Sequence, residues 1–167
     1  MLIVFGGLPG TGKTTLAQRL ARERRAVHVR IDSIEQAIVD SRIAEQPLGP
    51  SGYMVGYAVA FDNLRLGLSV IADSVNPIDI TRNAWRDVGA RAGVPVIEIE
   101  VICSDPTEHR ARVESRPSTV PNLRLPTWRE VVEREYHPWD HEHLCVDTAH
   151  RSLEDALVII REGLVSR

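Results

Sequence analysis

The stretch FGGLPGTGKTTLAQRL, Phe5 to Leu20, decides the fold. Within it Gly7-Leu8-Pro9-Gly10-Thr11-Gly12-Lys13-Thr14 satisfies the pattern G-x-x-x-x-G-K-[ST] at every position. The glycines let the backbone turn its N–H groups inward around an anion, and the following helix adds the positive end of its dipole. The pattern sits between an apolar run, Leu2-Ile3-Val4-Phe5, and a segment with Leu16 and Leu20 four apart, as a strand–loop–helix unit requires. Residues Gly7 to Thr15 therefore read as a phosphate-binding loop. Lys13 is aimed at terminal phosphates and Thr14 at a Mg²⁺ ion.

Working outward, the unbroken apolar character of Leu2–Phe5 fits a central strand covered on both faces, and a helix runs from about Lys13 to Arg24. Ala26 to Ile31 is a second strand, ended by Asp32-Ser33, which can cap a short helix through about Val39. Gln46 to Gly52 carries Pro and Gly and reads as loop. Tyr53, Tyr57, Phe61, Leu64 and Leu68 recur at helical spacing as a core stripe, with Gly67 near its stop. Val70–Asp73 is a third strand, and a helix from about Ile78 to Ala92 stops at Gly93. Val96–Ile102 makes a fourth strand, and Asp105-Pro106 opens a helix to about Ser115.

Residues 116–127 hold Pro117, Pro121 and Pro126, so this segment is neither helix nor central strand and is a lid candidate. Thr127 and Glu130 form a capping box, Leu144–Asp147 is a fifth strand, and Ser152 caps a final helix bearing Leu153, Leu157 and Ile160 on one face. The alternation predicts a three-layer α/β fold around a mainly parallel, five-stranded sheet: a single domain, 1–167, with a lid.

The bulk properties agree. A chain of 167 residues with 43% hydrophobic and 26% charged content can bury a core without disulfides. Cys103 and Cys145 lie far apart with no C-x-x-C, and are expected as small buried hydrophobes in a reducing cytoplasm. No apolar run approaches the roughly 18–20 residues that span a bilayer. The N-terminal run has no basic segment before it and reaches the loop by residue 7, so no secretory leader is expected. A net charge of −3 gives no global attraction to nucleic acid or anionic membranes.

Two acids frame the chemistry. Asp73 closes the third strand, where it can lie beside the loop and hold a metal-bound water. Asp32 ends the second strand in the crevice where parallel sheets bind ligands, and there it can take a proton from an acceptor hydroxyl. Asn76 has two open roles, serving the helix that follows or a substrate. Arg112 and Arg116 are four apart, on one side of a helix, and can neutralise charge on a transferring phosphate. Arg110 falls on another face and pairs with Glu114, while Arg124 is a weaker candidate inside the lid. His137, His141 and His143 with Asp140 match no zinc spacing and read as a polar loop.

These residues resemble the small P-loop kinases of the polynucleotide kinase and chloramphenicol phosphotransferase type, often described as AAA-type ATPases or kinases. The likeness rests on Gly7–Thr14, on Asp32-Ser33, on LRLGLSVIADSVN (64–76), on Arg112 with Arg116, and on CVDTAHRSLEDALVII (145–160). It implies a nucleoside-kinase-like sheet with a mobile lid, ATP and Mg²⁺ as cofactors, Asp32 as general base and the two arginines as phosphate clamps. In polynucleotide kinases an arginine three residues after the catalytic acid grips a substrate phosphate. Here Glu35 stands at that position, and the Asp-Ser pair is closer to the phenicol enzymes. That departure points away from polynucleotides, towards an uncharged or cationic hydroxyl compound.

The leading expectation is thus an ATP-dependent kinase acting on a small hydroxyl acceptor. The alternatives are a nucleotide-hydrolysing switch and a non-catalytic ATP-binding module. The sequence lacks the Asn-Lys-x-Asp reader, Asp-x-x-Gly and the Leu-Ser-Gly-Gly-Gln signature.

Overall fold

A computed structural model of the chain describes residues 1–43 and 47–165. Five parallel strands, β1 (Leu2–Gly6), β2 (Val27–Arg30), β3 (Val70–Asp73), β4 (Val96–Ile102) and β5 (Leu144–Asp147), form one sheet ordered β2-β3-β1-β4-β5. The helices are α1 (Lys13–Arg24), α2 (Ile31–Asp40), α3 (Ser51–Arg65), α4 (Asp79–Ala92), α5 (Pro106–Ser115), α6 (Trp128–Val132) and α7 (Leu153–Val165). No described helix is long and apolar enough to cross a membrane.

Strand alternation splits the core in two. Ile3 and Phe5 join Leu16, Leu20, Ile99, Leu157 and Ile160 on the face covered by α1 and α7. Leu2 and Val4 point the other way, packing with Val29, Leu64, Trp85 and Val88 under α3 and α4. Burial on both faces explains why β1 is apolar at every position rather than at alternate ones. The result is the expected three-layer fold, with the strand and helix limits close to those read from the sequence.

Several local expectations change. Gln46 lies outside the described residues, and the rest of the expected 46–52 loop is shorter than read, because α3 already begins at Ser51. Gly52 is buried inside its first turn, where a Cβ would overlap the Glu35 side chain. It is a point of close helix approach rather than a breaker. Leu68 leaves the expected stripe: the helix ends at Arg65, Gly67 turns left-handed at φ 83, and Leu68 emerges exposed. Arg30, not Asp32, occupies the N-cap position of α2, and Asp32 lies in the first turn without a capping bond. Cys103 is buried as expected, but Cys145 is exposed. It sits on the edge strand opposite Val146, the residue that faces the core.

Asn76 resolves in favour of structure. It is fully buried at a left-handed φ of 50, a conformation Asn tolerates better than most residues. Its side-chain amide donates to the Phe5 carbonyl (2.9 Å) and accepts from Trp85 Nε1 (3.1 Å), and its own carbonyl accepts from the buried Arg82 Nε (2.9 Å). Asn76→Ala strands the Trp85 donor and the Phe5 acceptor and is expected to cost about 2–4 kcal/mol in urea denaturation, with Trp85→Phe losing roughly half as much.

Candidate active site

The loop after β1 follows from its glycines. Gly7, Gly10 and Gly12 take φ of 134, 89 and 93, values that side-chain-bearing residues avoid. Gly12 forms the N-cap of α1, with no capping side chain and no acid in the first turn, so the helix N-terminus is open to an anion. The loop is braced from two distant elements. His109 of α5 donates to the Pro9 carbonyl (2.8 Å), and Thr148, just after β5, donates to the Thr11 carbonyl (2.9 Å). Thr11 itself closes back on Leu8 (2.9 Å).

Lys13 is buried beside this loop, and burial lowers its pKa, an effect opposed by the charges of Asp73 and Asp32. Thr14 donates to Asp73 Oδ1 at 3.2 Å, joining the two residues expected to share a metal. Burial alone raises the Asp73 pKa. The hydrogen bond from His28 (3.3 Å) and the charge of Lys13 outweigh it, so the carboxylate titrates below its ordinary range. Among the described residues no group of three His, Cys, Asp or Glu is placed to hold a metal. A hydroxyl and a single carboxylate suit Mg²⁺, which takes one or two protein oxygens and completes its shell with phosphates and water. The histidines at 137, 141 and 143 each pair with a different acid, namely Glu135, Asp140 and Glu100.

Two adjoining cavities open beside Lys13. One, of about 280 Å³, borders the loop through Gly10, Gly12, Thr14 and Thr15. The other, of about 300 Å³, is lined by Asp32, Glu35, Tyr53, Leu123, Arg124 and Arg134 among others. Lys13, Arg30 and Arg116 line both. A third hollow, about 210 Å³ and mainly apolar, lies behind the loop between Leu16, Arg112, Thr148, Leu153 and Ala156.

The two candidate clamps do not act as a helical pair. Arg112 is tied back to the Thr148 side chain (2.8 Å) and carbonyl (2.9 Å), and to Glu108. Arg116 lies beyond the end of α5 in extended conformation, φ −70 and ψ 137. The reason is Pro117, whose ring excludes helical geometry from the preceding residue. This turns Arg116 into the space between the cavities. There it is half-buried, with its Nε making no hydrogen bond among the described residues. Burial and the nearby Arg30 lower its pKa, while Asp32 opposes them. Arg110 pairs with Glu114 on the surface, as its position predicts.

Sequence reading missed Arg30. At the end of β2, opposite Asp73 in register, its Nη2 lies 3.5 Å from Asp32 and its Nε 3.9 Å from Asp73. Its Nη1 donates to Thr119 in the 116–127 segment at 2.8 Å. The available signal was its position two residues before Asp32 at a strand end. His109 and Thr148 gave no local signal, because the loop carbonyl that each supports lies more than 90 residues away in the chain.

The sequence profile of the AAA domain family matches residues 2–134. Among solved structures, a proposed kinase of Chloroflexus aurantiacus j-10-fl is 25% identical at a TM-score of 0.75, with 99% of this chain and 96% of that one covered. A gluconokinase from Sinorhizobium meliloti 1021 shares 15% identity at a TM-score of 0.68, with coverage of 98% and 91%. Kti12 of Chaetomium thermophilum, solved with ADP-AlF3, shares 21% at a TM-score of 0.68, with coverage of 97% and 98%. No curated protein matches the chain. These likenesses establish a small P-loop kinase-like fold.

The far end of the 116–127 segment is fixed by the predicted capping box. Glu130 accepts from Thr127 N (2.8 Å) and Thr127 Oγ1 (3.0 Å), and from Arg124 (2.8 Å). The Thr127 backbone bond leads in pulling its pKa down to about 2, followed by Arg124. A depressed carboxylate stabilises the fold above its unfolded pKa and loses that contribution as pH falls through its folded value. Carbon-detected NMR titration is therefore expected to place Glu130 near 2, with α6 losing its cap only on approach to that pH. Arg124→Gln should move the midpoint up, and Thr127→Ala, which keeps the leading backbone donor and removes only the hydroxyl bond, should raise it less.

Proposed function

The chain belongs to the AAA domain family, and from that premise we propose that it is an ATP-dependent kinase, passing the γ-phosphoryl group to a hydroxyl of a small molecule. One observation carries the reading: Asp32 lines the same cavity as Lys13 and Arg116, directly beside the phosphate loop. A site built for hydrolysis alone has no need of a separate acceptor-sized cavity walled by a carboxylate. Kinase relatives of the same fold, and Kti12 with its bound nucleotide, support nucleotide binding at the loop.

In this reading residues 1–167 form one kinase domain. The loop amides and Lys13 hold the β- and γ-phosphates, and the open N-terminus of α1 adds its dipole. Thr14 and Asp73 are the residues that would hold Mg²⁺, which supplies charge neutralisation at the terminal phosphates. The apolar hollow beside Thr148 and Arg112 accommodates the nucleobase. Asp32, more than a third exposed, accepts the proton of the acceptor hydroxyl as that oxygen attacks phosphorus in line with the departing ADP. Arg116 stabilises the charge spread over the transferring group. Residues 116–127 act as the lid, excluding water when the acceptor is bound.

The test is acceptor-dependent ADP release across nucleosides, sugars, aminoglycosides and phenicols, with Lys13→Ala as blank. Asp32→Asn is expected to bind ATP normally while kcat falls by about 10²–10⁴. Undiminished transfer by that variant removes Asp32 from the role of base. Nucleotide hydrolysis indifferent to every acceptor would instead favour a hydrolytic switch.

A further inference from the structure

Glu35, taken alone, suggested an acceptor without negative charge. The fold alters its surroundings. Arg134, 99 positions later in the chain, lines the same cavity, as does Arg124. Neither borders the cavity at the phosphate loop, whereas Lys13, Arg30 and Arg116 do. The five cations therefore divide into a set that can serve ATP and a pair that faces the acceptor space alone.

Of the acceptor-side pair, Arg124 is held in an exposed ion pair with Glu130, whereas Arg134 has no bonded carboxylate among the described residues. Among the described residues Arg134 interacts with Glu35 through charge alone and makes no side-chain hydrogen bond. Glu35 is a poor counter-charge: burial first, then the charge of Asp32 one turn away, push its carboxyl towards the neutral form, against the opposing pull of Arg134. Arg124 donates to Glu130, but Glu130 retains its bonds from Thr127 if Arg124 swings into the cavity. Arg30, by contrast, is committed to Asp32, Asp73 and Thr119. A guanidinium on a cavity wall, without a bonded carboxylate, is matched to a planar or tetrahedral oxyanion.

We propose that the acceptor carries its own anionic group, a carboxylate or a phosphate ester, held at the outer end of the cavity by Arg134 with Arg124 beside it. The proposal rests on reading this cavity as the acceptor site. Asp32 then faces the hydroxyl at the inner end, next to Lys13, and the two ends of the acceptor are read by opposite charges. A cavity of about 300 Å³ restricts the ligand to a small molecule.

The test is calorimetric binding to the full chain saturated with Mg²⁺ and AMPPNP, so that the nucleotide site is filled. Matched pairs serve as probes: glycerol and glycerol 3-phosphate, glucose and glucuronate, adenosine and adenosine 5′-monophosphate. At least one anionic member is expected to bind about 10-fold or more tighter than its neutral partner, the scale of one charge-assisted contact. The glucuronate and phosphate arms tell carboxylate from phosphate ester. Arg134→Gln should erase the preference, while Arg110→Gln, on the outer surface, should keep it. Equal or weaker binding by the anionic member of every pair, no binding by any of them, or a preference that survives Arg134→Gln overturns the proposal. Anion-selective binding without acceptor-dependent ADP release would leave the anion site standing and remove the kinase reading instead.

Discussion

Parallel register between β1, β3 and β2 is the constraint on which the site depends. It sets Phe5 beside Asp73 and Asp73 beside Arg30. Because the phosphate loop leaves β1 immediately afterwards, Thr14 on the first turn of α1 returns to within 3.2 Å of that same acid. A slip of one residue would carry Asp73 to the opposite face of the sheet and separate the hydroxyl from the carboxylate. The register is held by burial on both faces, with Ile3 and Phe5 in one core and Leu2 and Val4 in the other. Two hydrophobic half-cores thus specify the position of a polar pair that contributes little to the core itself.

The charges gathered there make sense as an incomplete set. Lys13 and Asp73 are almost wholly buried, and Arg30 and Arg116 each keep a buried Nε without a hydrogen bond among the described residues. Burying a cation without partners is costly, and the cost falls when an anion arrives. Asp73 meets part of that need through His28, Thr14 and Lys13. Among the described residues Arg116 has no comparable partner, and its neighbour Pro117 prevents it from folding back onto α5. Arg30 adds a mechanical link, since the guanidinium that lies near Asp32 and Asp73 also donates to Thr119 of the 116–127 segment. One side chain thus ties that segment to the acids of the site.

What was legible in the sequence were features written locally. The loop, the alternating elements, the capping box at Thr127 and the strand-terminal acid Asp73 all depend on neighbours within about one helical turn or one strand, and the structure places them as read. Gly52 and Cys145 misled because their environments are set from elsewhere, the first by the Glu35 side chain and the second by its place on an edge strand. Arg112 and Arg116 misled for a different reason. Their spacing assumes a helix that continues, and Pro117 ends it before the second arginine. The braces at His109 and Thr148 were invisible because a residue that supports a loop carbonyl leaves no pattern of its own.

Glu35 shows how a motif position and the walls around it can point to opposite signs. Compared position by position with a motif, an acid in place of an arginine changes the sign expected of the ligand. In three dimensions Arg134, from just beyond α6, lines the same pocket, and Glu35 is itself pushed towards neutrality by burial and by Asp32. A charge at a motif position describes a pocket only when the other walls are known. Here those walls come from α2, α3, the segment after α5 and the residues beyond α6, so the sign of the pocket is a property of the fold rather than of any one stretch of chain.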